Sequence, residues 1–165
     1  MAQCELPGGT QKWNQLARLT IMVNNPINVS AYAGAPPADG ESRKIHGGPL
    51  YEVEVINQIL QRGAAAFTAW TRKCKDDLQN YALDGQDVVE LITEALRTGR
   101  YRDSEWCVQQ PRGPWAACDA YTVTRKEWIP HAHKDFLIEY YIKFAISRAG
   151  TLMLLVSCHL PDNRG

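Results

Sequence analysis

Several things are missing from this sequence. No apolar run approaches the length of a membrane span, so a helical anchor is not expected. The start of the chain has no basic segment followed by an apolar one, so no secretory signal is read there. There is no C-x-x-C pair, and the five cysteines (Cys4, Cys74, Cys107, Cys118, Cys158) are odd in number. Reduced thiols in a cytoplasmic protein are the simplest expectation. Net charge is absent too: 18 Lys and Arg balance 18 Asp and Glu. That removes any whole-chain electrostatic argument for nucleic acid. No internal repeat or low-complexity tract stands out.

What is present fits one domain, with enough aliphatic and aromatic residues for a single core. Charge is unevenly placed. Asp76, Asp77, Asp84, Asp87, Glu90 and Glu94 make the middle acidic, whereas Arg97, Arg100, Arg102, Arg112, Arg125, Lys126, Lys134, Lys143 and Arg148 outnumber the acids around them. A basic C-terminal half is compatible with a phosphate ligand and equally with an ordinary solvated surface.

Residues 1–49 read as an N-terminal extension and linker. Met1 to Thr10 contains Pro7-Gly8-Gly9 and is expected to fray. Trp13 to Val23 fits a short helix or a strand. Asn24 to Pro49 is rich in Asn, Gly, Pro and Ala and reads as turns followed by a loop or linker. The main domain is expected at 50–165. Val53, Ile56, Ile59 and Leu60 share a helix face, and Gly63 is a natural stop. Thr68 is the expected cap of a second helix, with Trp70, Cys74, Leu78 and Tyr81 at helical spacing. Asp84 is the expected cap of a third, with Val88, Leu91, Ile92 and Ala95 inward and Gly99 as its end. Strands follow at 104–109, 115–123, 137–146 and 151–158, with a turn at Pro111–Pro114 and a longer connection at 124–135. Helices followed by a strand meander indicate an α+β fold: three helices packed on one face of a twisted antiparallel sheet.

The strand at 137–146 carries the strongest pattern. Ile138, Tyr140, Ile142, Phe144 and Ile146 form one face; Glu139, Tyr141 and Lys143 lie on the other. With 151–158 it makes a hairpin. A three-residue loop with Gly150 left-handed would place Tyr141 opposite Ser157 and Glu139 opposite His159, on one face. A two-residue loop would bury His159. Tyr, Lys, Arg and His on an open sheet face suit metal-free cleavage of an RNA phosphodiester, in which the ribose 2′-OH attacks phosphorus. His131-x-His133, with His159, leaves a metal hydrolase as an alternative.

Several short motifs extend this reading. They are Val55-Ile56-Asn57-Gln58-Ile59-Leu60-Gln61-Arg62-Gly63, Leu83-Asp84-Gly85, Arg100-Tyr101-Arg102-Asp103-Ser104, Asp119-Ala120-Tyr121, Tyr141-Ile142-Lys143-Phe144 and Val156-Ser157-Cys158-His159. In order and spacing, over about the last two thirds of the chain, they resemble the motility quorum-sensing regulator (MqsR) toxins. These are mRNA interferases with a RelE-like fold, paired with an antitoxin. The resemblance implies a growth-inhibiting endoribonuclease of a type II toxin-antitoxin system, acting on single-stranded mRNA without a cofactor and held by a cognate antitoxin protein. It sets Tyr141 on the family's catalytic tyrosine. Arg102 and His159 stand where the family has functional lysines. In the ribonuclease reading Arg102 and Lys143 would hold phosphate, Arg112 would add to RNA binding, and Tyr141 and His159 would carry proton transfer in either order. Bases would stack on Trp115, Tyr121 or Trp128. The family's functional glutamine falls near Cys118, so that role is lost or passes to Gln109 or Gln110. Residues 1–49 have no counterpart. The alternative function is a catalytically silent toxin-like fold that binds a protein or RNA.

Overall fold

Asp84 begins the longest of the described helices, α3 (Gly85–Thr98). Its carboxylate accepts from the backbone N–H groups of Gln86 and Asp87, both at 2.9 Å, while Asp87 accepts from the Asp84 N–H at 3.0 Å. This reciprocal cap satisfies donors that a helix start otherwise leaves open. Val88, Leu91, Ile92 and Ala95 are its buried stripe, as the spacing predicts. At its end Gly99 is a steric requirement: a Cβ there would lie 2.5 Å from the Ala95 oxygen and 2.8 Å from the Thr122 oxygen.

The computed structural model describes residues 26–161. The expectations for Met1–Thr10 and Trp13–Val23 lie outside the described residues. Among the described residues the fold is α+β, with three α-helices and one six-stranded mixed sheet. In chain order the elements are β1 (Lys44–Ile45), α1 (Val53–Leu60), β2 (Phe67–Ala69), α2 (Arg72–Asn80), α3, β3 (Arg100–Val108), β4 (Trp115–Ile129), β5 (Lys134–Ile146) and β6 (Met153–His159). The sheet order is β1-β3-β4-β5-β6-β2. Phe144, Ile142, Ile146, Met153 and Leu155 of the hairpin are fully buried with Ile56, Leu91 and Ile92 of the helices. Each such side chain contributes about 1.5–3 kcal/mol by leaving water. Among the described residues no helix is long and apolar enough to cross a membrane.

Three features depart from the sequence expectation. The sheet is mixed, because Phe67–Ala69 runs parallel to β6 instead of opening a helix at Thr68. The true cap of α2 is Thr71, whose Oγ1 accepts from the Cys74 N–H at 3.1 Å and donates to the Val156 oxygen at 2.8 Å. Pairing with β2 covers what would otherwise be an open edge of β6. Secondly, 124–135 is mostly strand: β4 and β5 continue in register from Thr124↔Glu139 to Ile129↔Lys134, closed by a short 3-10 turn at Pro130–Ala132. Charged residues interrupt the apolar alternation there, and pairs such as Lys126–Asp135 (2.8 Å) take its place.

Thirdly, the stretch read as turns and linker is bound into the sheet within its described part. Asn28 bridges to Trp115 and Ser30 to Ser147, and β1 pairs with β3. Buried Asp119 fixes the end of this stretch, accepting from Leu50 N–H at 2.8 Å, Tyr51 N–H at 3.2 Å and Ser104 Oγ at 2.5 Å. The Tyr51 hydroxyl donates to the Ala117 oxygen at 2.6 Å.

Candidate active site

Register decides which side chains meet. At the turn, Ile146 pairs with Met153 and Phe144 with Leu155, and the Ser147 N–H donates to the Leu152 oxygen at 2.8 Å. The loop is therefore 148–151, one residue longer than the expected three. Gly150 is left-handed, with φ of 72°. A regular ladder from that start would set Tyr141 opposite Cys158 and turn His159 toward the buried face. The ladder is not regular: between Lys143 and Phe144 it shifts, so that Lys143 faces Ser157 and Tyr141 faces His159. Val156 is the extra residue of a β-bulge, and a bulge reverses the alternation beyond it. The expectation that Tyr141 and His159 share a face holds, but the pairing is direct and not diagonal. The rings are 5.2 Å apart between centroids, tilted by 33°.

A second bulge brings in the cation. The β3–β4 ladder shifts between Tyr101 and Asp103, leaving Arg102 without a cross-strand partner. Arg102 is exposed and lines a cleft of about 400 Å³ together with Thr122, Glu139, Tyr141, His159 and Pro161. Two irregularities on separate strands thus deliver Arg102 and His159 to the tyrosine. Arg102 makes no ion pair among the described residues.

The protonation chemistry of the cleft follows from its hydrogen bonds and charges. His159 Nδ1 is 2.6 Å from the Leu160 carbonyl oxygen. A carbonyl only accepts, so Nδ1 carries the hydrogen, and in the neutral ring Nε2 is left as the basic nitrogen. Burial raises the Tyr141 hydroxyl above the ordinary tyrosine value, partly opposed by Lys143. The phenol therefore keeps its proton at neutral pH. Lys143 lies on the same face, with Nζ 5.4 Å from the Tyr141 ring centre and an ion pair to Glu105. Burial lowers its pKa, but Cys107, Glu105 and Tyr141 more than offset this, so it stays charged.

The other expected residues are placed elsewhere. Tyr121 is on the opposite face, 6 % exposed, stacked on Phe144 with centroids 5.8 Å apart. It pairs with Ile142, and the strand alternation that makes Ile142 core makes Tyr121 core too. Trp115 and Arg112 are at the far end of β4, roughly 23 Å along the strand from Thr122 at about 3.3 Å per residue. Trp115 lies beneath the Arg43 guanidinium, and Arg112 sits at the β3–β4 turn with φ of 62°. Trp128 is different: it is 57 % exposed and falls on the Tyr141 face by alternation from Thr122. Cys118 is fully buried, and neither Gln109 nor Gln110 lines the cleft. The Gln109 amide is spent on the Trp70 oxygen at 2.9 Å. His131 and His133 are at the tip of the β4–β5 arm, and among the described residues no three His, Cys, Asp or Glu are grouped to hold a metal ion.

Thr122 and Pro161 are the cleft residues that sequence reading missed. The signal for Thr122 was available in principle: it is the alternate neighbour of Tyr121, and it pairs directly with Tyr141. No protein-family model, curated protein or solved structure matches the chain.

Proposed function

We propose that this protein is a metal-independent endoribonuclease that cleaves single-stranded RNA by attack of a ribose 2′-OH on the adjacent phosphorus. The observation that carries the reading is the direct pairing of Tyr141 with His159 in one cleft with Arg102. His159 Nε2 takes the proton from the 2′-OH, and the oxygen forms its bond to phosphorus. Arg102 and Lys143 stabilise the negative charge that builds on the phosphorane oxygens. The Tyr141 hydroxyl gives its proton to the departing 5′-oxygen as the P–O bond breaks, leaving a 2′,3′-cyclic phosphate and a 5′-hydroxyl. Trp128, exposed on the same face roughly 20 Å along β4 from Thr122 at about 3.3 Å per residue, offers a stacking surface for an unpaired base several nucleotides from the cleaved bond.

The wider reading is that of a RelE-like, MqsR-type toxin, acting on mRNA in the cytoplasm and inhibited by a cognate antitoxin. The sequence motifs around Arg102, Tyr141 and His159 support it, as does the meeting of those three residues. The test is incubation of the purified protein with single-stranded RNA in excess chelator. Fragments ending in 2′,3′-cyclic phosphate are expected, and intact RNA would reject the reading. A second reading, a catalytically silent RNA-binding module, draws on one observation: Lys143 is already occupied by Glu105. Bound but uncleaved RNA in the same assay would favour it.

A further inference from the structure

A groove of about 960 Å³ opens between the first turn of α2 and the end of β3, with Val156 and Ser157 of β6 in its lining. Its charge is one-sided. Arg43, Arg72 and Lys75 line it, and no Asp or Glu does, although acids and bases are equal in number over the chain. The groove beside α3 is the contrast, since it mixes Arg125 and Lys126 with Glu90 and Glu94. Arg43, Arg72 and Lys75 are exposed and make no ion pair among the described residues. Arg43 is held instead over the Trp115 ring, its guanidinium carbon 4.8 Å from the centre.

The walls are fixed by hydrogen bonds. Thr71 Oγ1 donates to the Val156 oxygen at 2.8 Å, and Gln109 Nε2 donates to the Trp70 oxygen at 2.9 Å. The groove also adjoins the cleft. Ser157 faces Lys143 across the ladder, next to the Tyr141–His159 pair, and lies roughly 7 Å from His159 at about 3.3 Å per residue. The Val156 bulge serves both places: it turns His159 toward Tyr141, and its carbonyl anchors the groove wall.

We propose that this groove is a second anion site, binding the phosphodiester backbone of single-stranded RNA on one side of the bond held between Tyr141 and His159. The assignment of the bond rests on the ribonuclease reading above. Arginine forks match phosphate oxygens in pairs, and a lysine adds a mobile charge. Each phosphate neutralised in such a groove releases counterions and makes binding salt-dependent.

The test uses the full chain and a fluorescent single-stranded RNA with 2′-O-methyl riboses, which binds but has no attacking hydroxyl. Affinity is followed by anisotropy between about 50 and 200 mM salt. The double variant Arg72→Ala/Lys75→Ala replaces two exposed side chains. It should bind at least about tenfold more weakly at the lowest salt, and the slope of log K against log salt should become shallower by about 1.4, near 0.7 for each phosphate no longer neutralised. Arg148→Ala, on the β5–β6 turn, should leave both unchanged. Parent-like affinity and slope in the double variant would overturn the proposal, as would a parent that ignores RNA or prefers a polyglutamate peptide. Weakened RNA binding in the double variant, together with unmodified RNA left intact by the parent, would retain the groove and reject the ribonuclease reading.

Discussion

Tyr141 and His159 are direct cross-strand partners, with ring centroids 5.2 Å apart. One is a phenol whose proton burial retains. The other is an imidazole whose Nδ1 is committed to the Leu160 carbonyl. An acid and a base are thereby set side by side by backbone pairing alone.

On the ribonuclease reading, replacing either member removes one proton transfer. Tyr141→Phe and His159→Ala should each lower the RNA cleavage rate by about 10²–10⁴ with the fold unchanged by circular dichroism. The double variant should be little worse than the slower single one, because groups that act as a unit are not additive. Two losses that simply multiplied would argue against a shared step.

The bulge can be tested by length. Deleting Val156 should regularise the ladder and keep Tyr141 opposite His159, so cleavage should persist within a few fold despite the missing bond from Thr71. Inserting one serine between Cys158 and His159 should turn the imidazole to the buried face and abolish cleavage. A deletion variant as inactive as the insertion variant would refute the register argument.

Alkaline stability should report the core tyrosines. Burial, then Asp119 and Tyr101, push the Tyr121 hydroxyl up to about 12, and burial with Glu127 pushes Tyr140 up to about 12, from the ordinary tyrosine value of 10.0. Above a pH of about 10 the unfolded chain releases these protons while the native chain holds them. Unfolding therefore releases protons, and stability must fall as pH rises from about 10 to about 12. Urea unfolding across that range should show the decline, and Tyr121→Phe should make it shallower. An equally steep decline in Tyr121→Phe would mean that Tyr121 does not contribute to it.

Asp119 is a structural anchor. Asp119→Ala strips the acceptors from the Leu50 and Tyr51 N–H groups and from Ser104. A stranded buried donor costs about 1–3 kcal/mol, so a loss of about 2–4 kcal/mol is expected from chemical denaturation. Faster proteolysis between residues 26 and 50 should accompany it. Unchanged stability would mean that water replaces the carboxylate.

The sequence was most legible where a local signal and a tertiary need agree. Asp84, the apolar stripe of α3 and Gly99 are such a case. The faces of β5 were equally plain, since Ile142 and Phe144 alternate with Tyr141 and Lys143. Thr68 misled because a threonine before a helical stretch looks like a cap, while the edge of β6 it completes is far away in sequence. Tyr121 misled because its motif was read without its parity along β4. The two bulges left no local trace. An extra residue in a ladder is visible only against the partner strand, and both of those that matter, at Arg102 and Val156, are of this kind.

The Val156 bulge also bears on descent. A related chain with β6 one residue shorter and no bulge would keep the tyrosine opposite the histidine. The separation of those two residues in sequence can therefore drift by one while the site stays constant. What selection can hold fixed is the parity of the strand together with its irregularity, so gain or loss of the bulge should travel with a one-residue change in strand length.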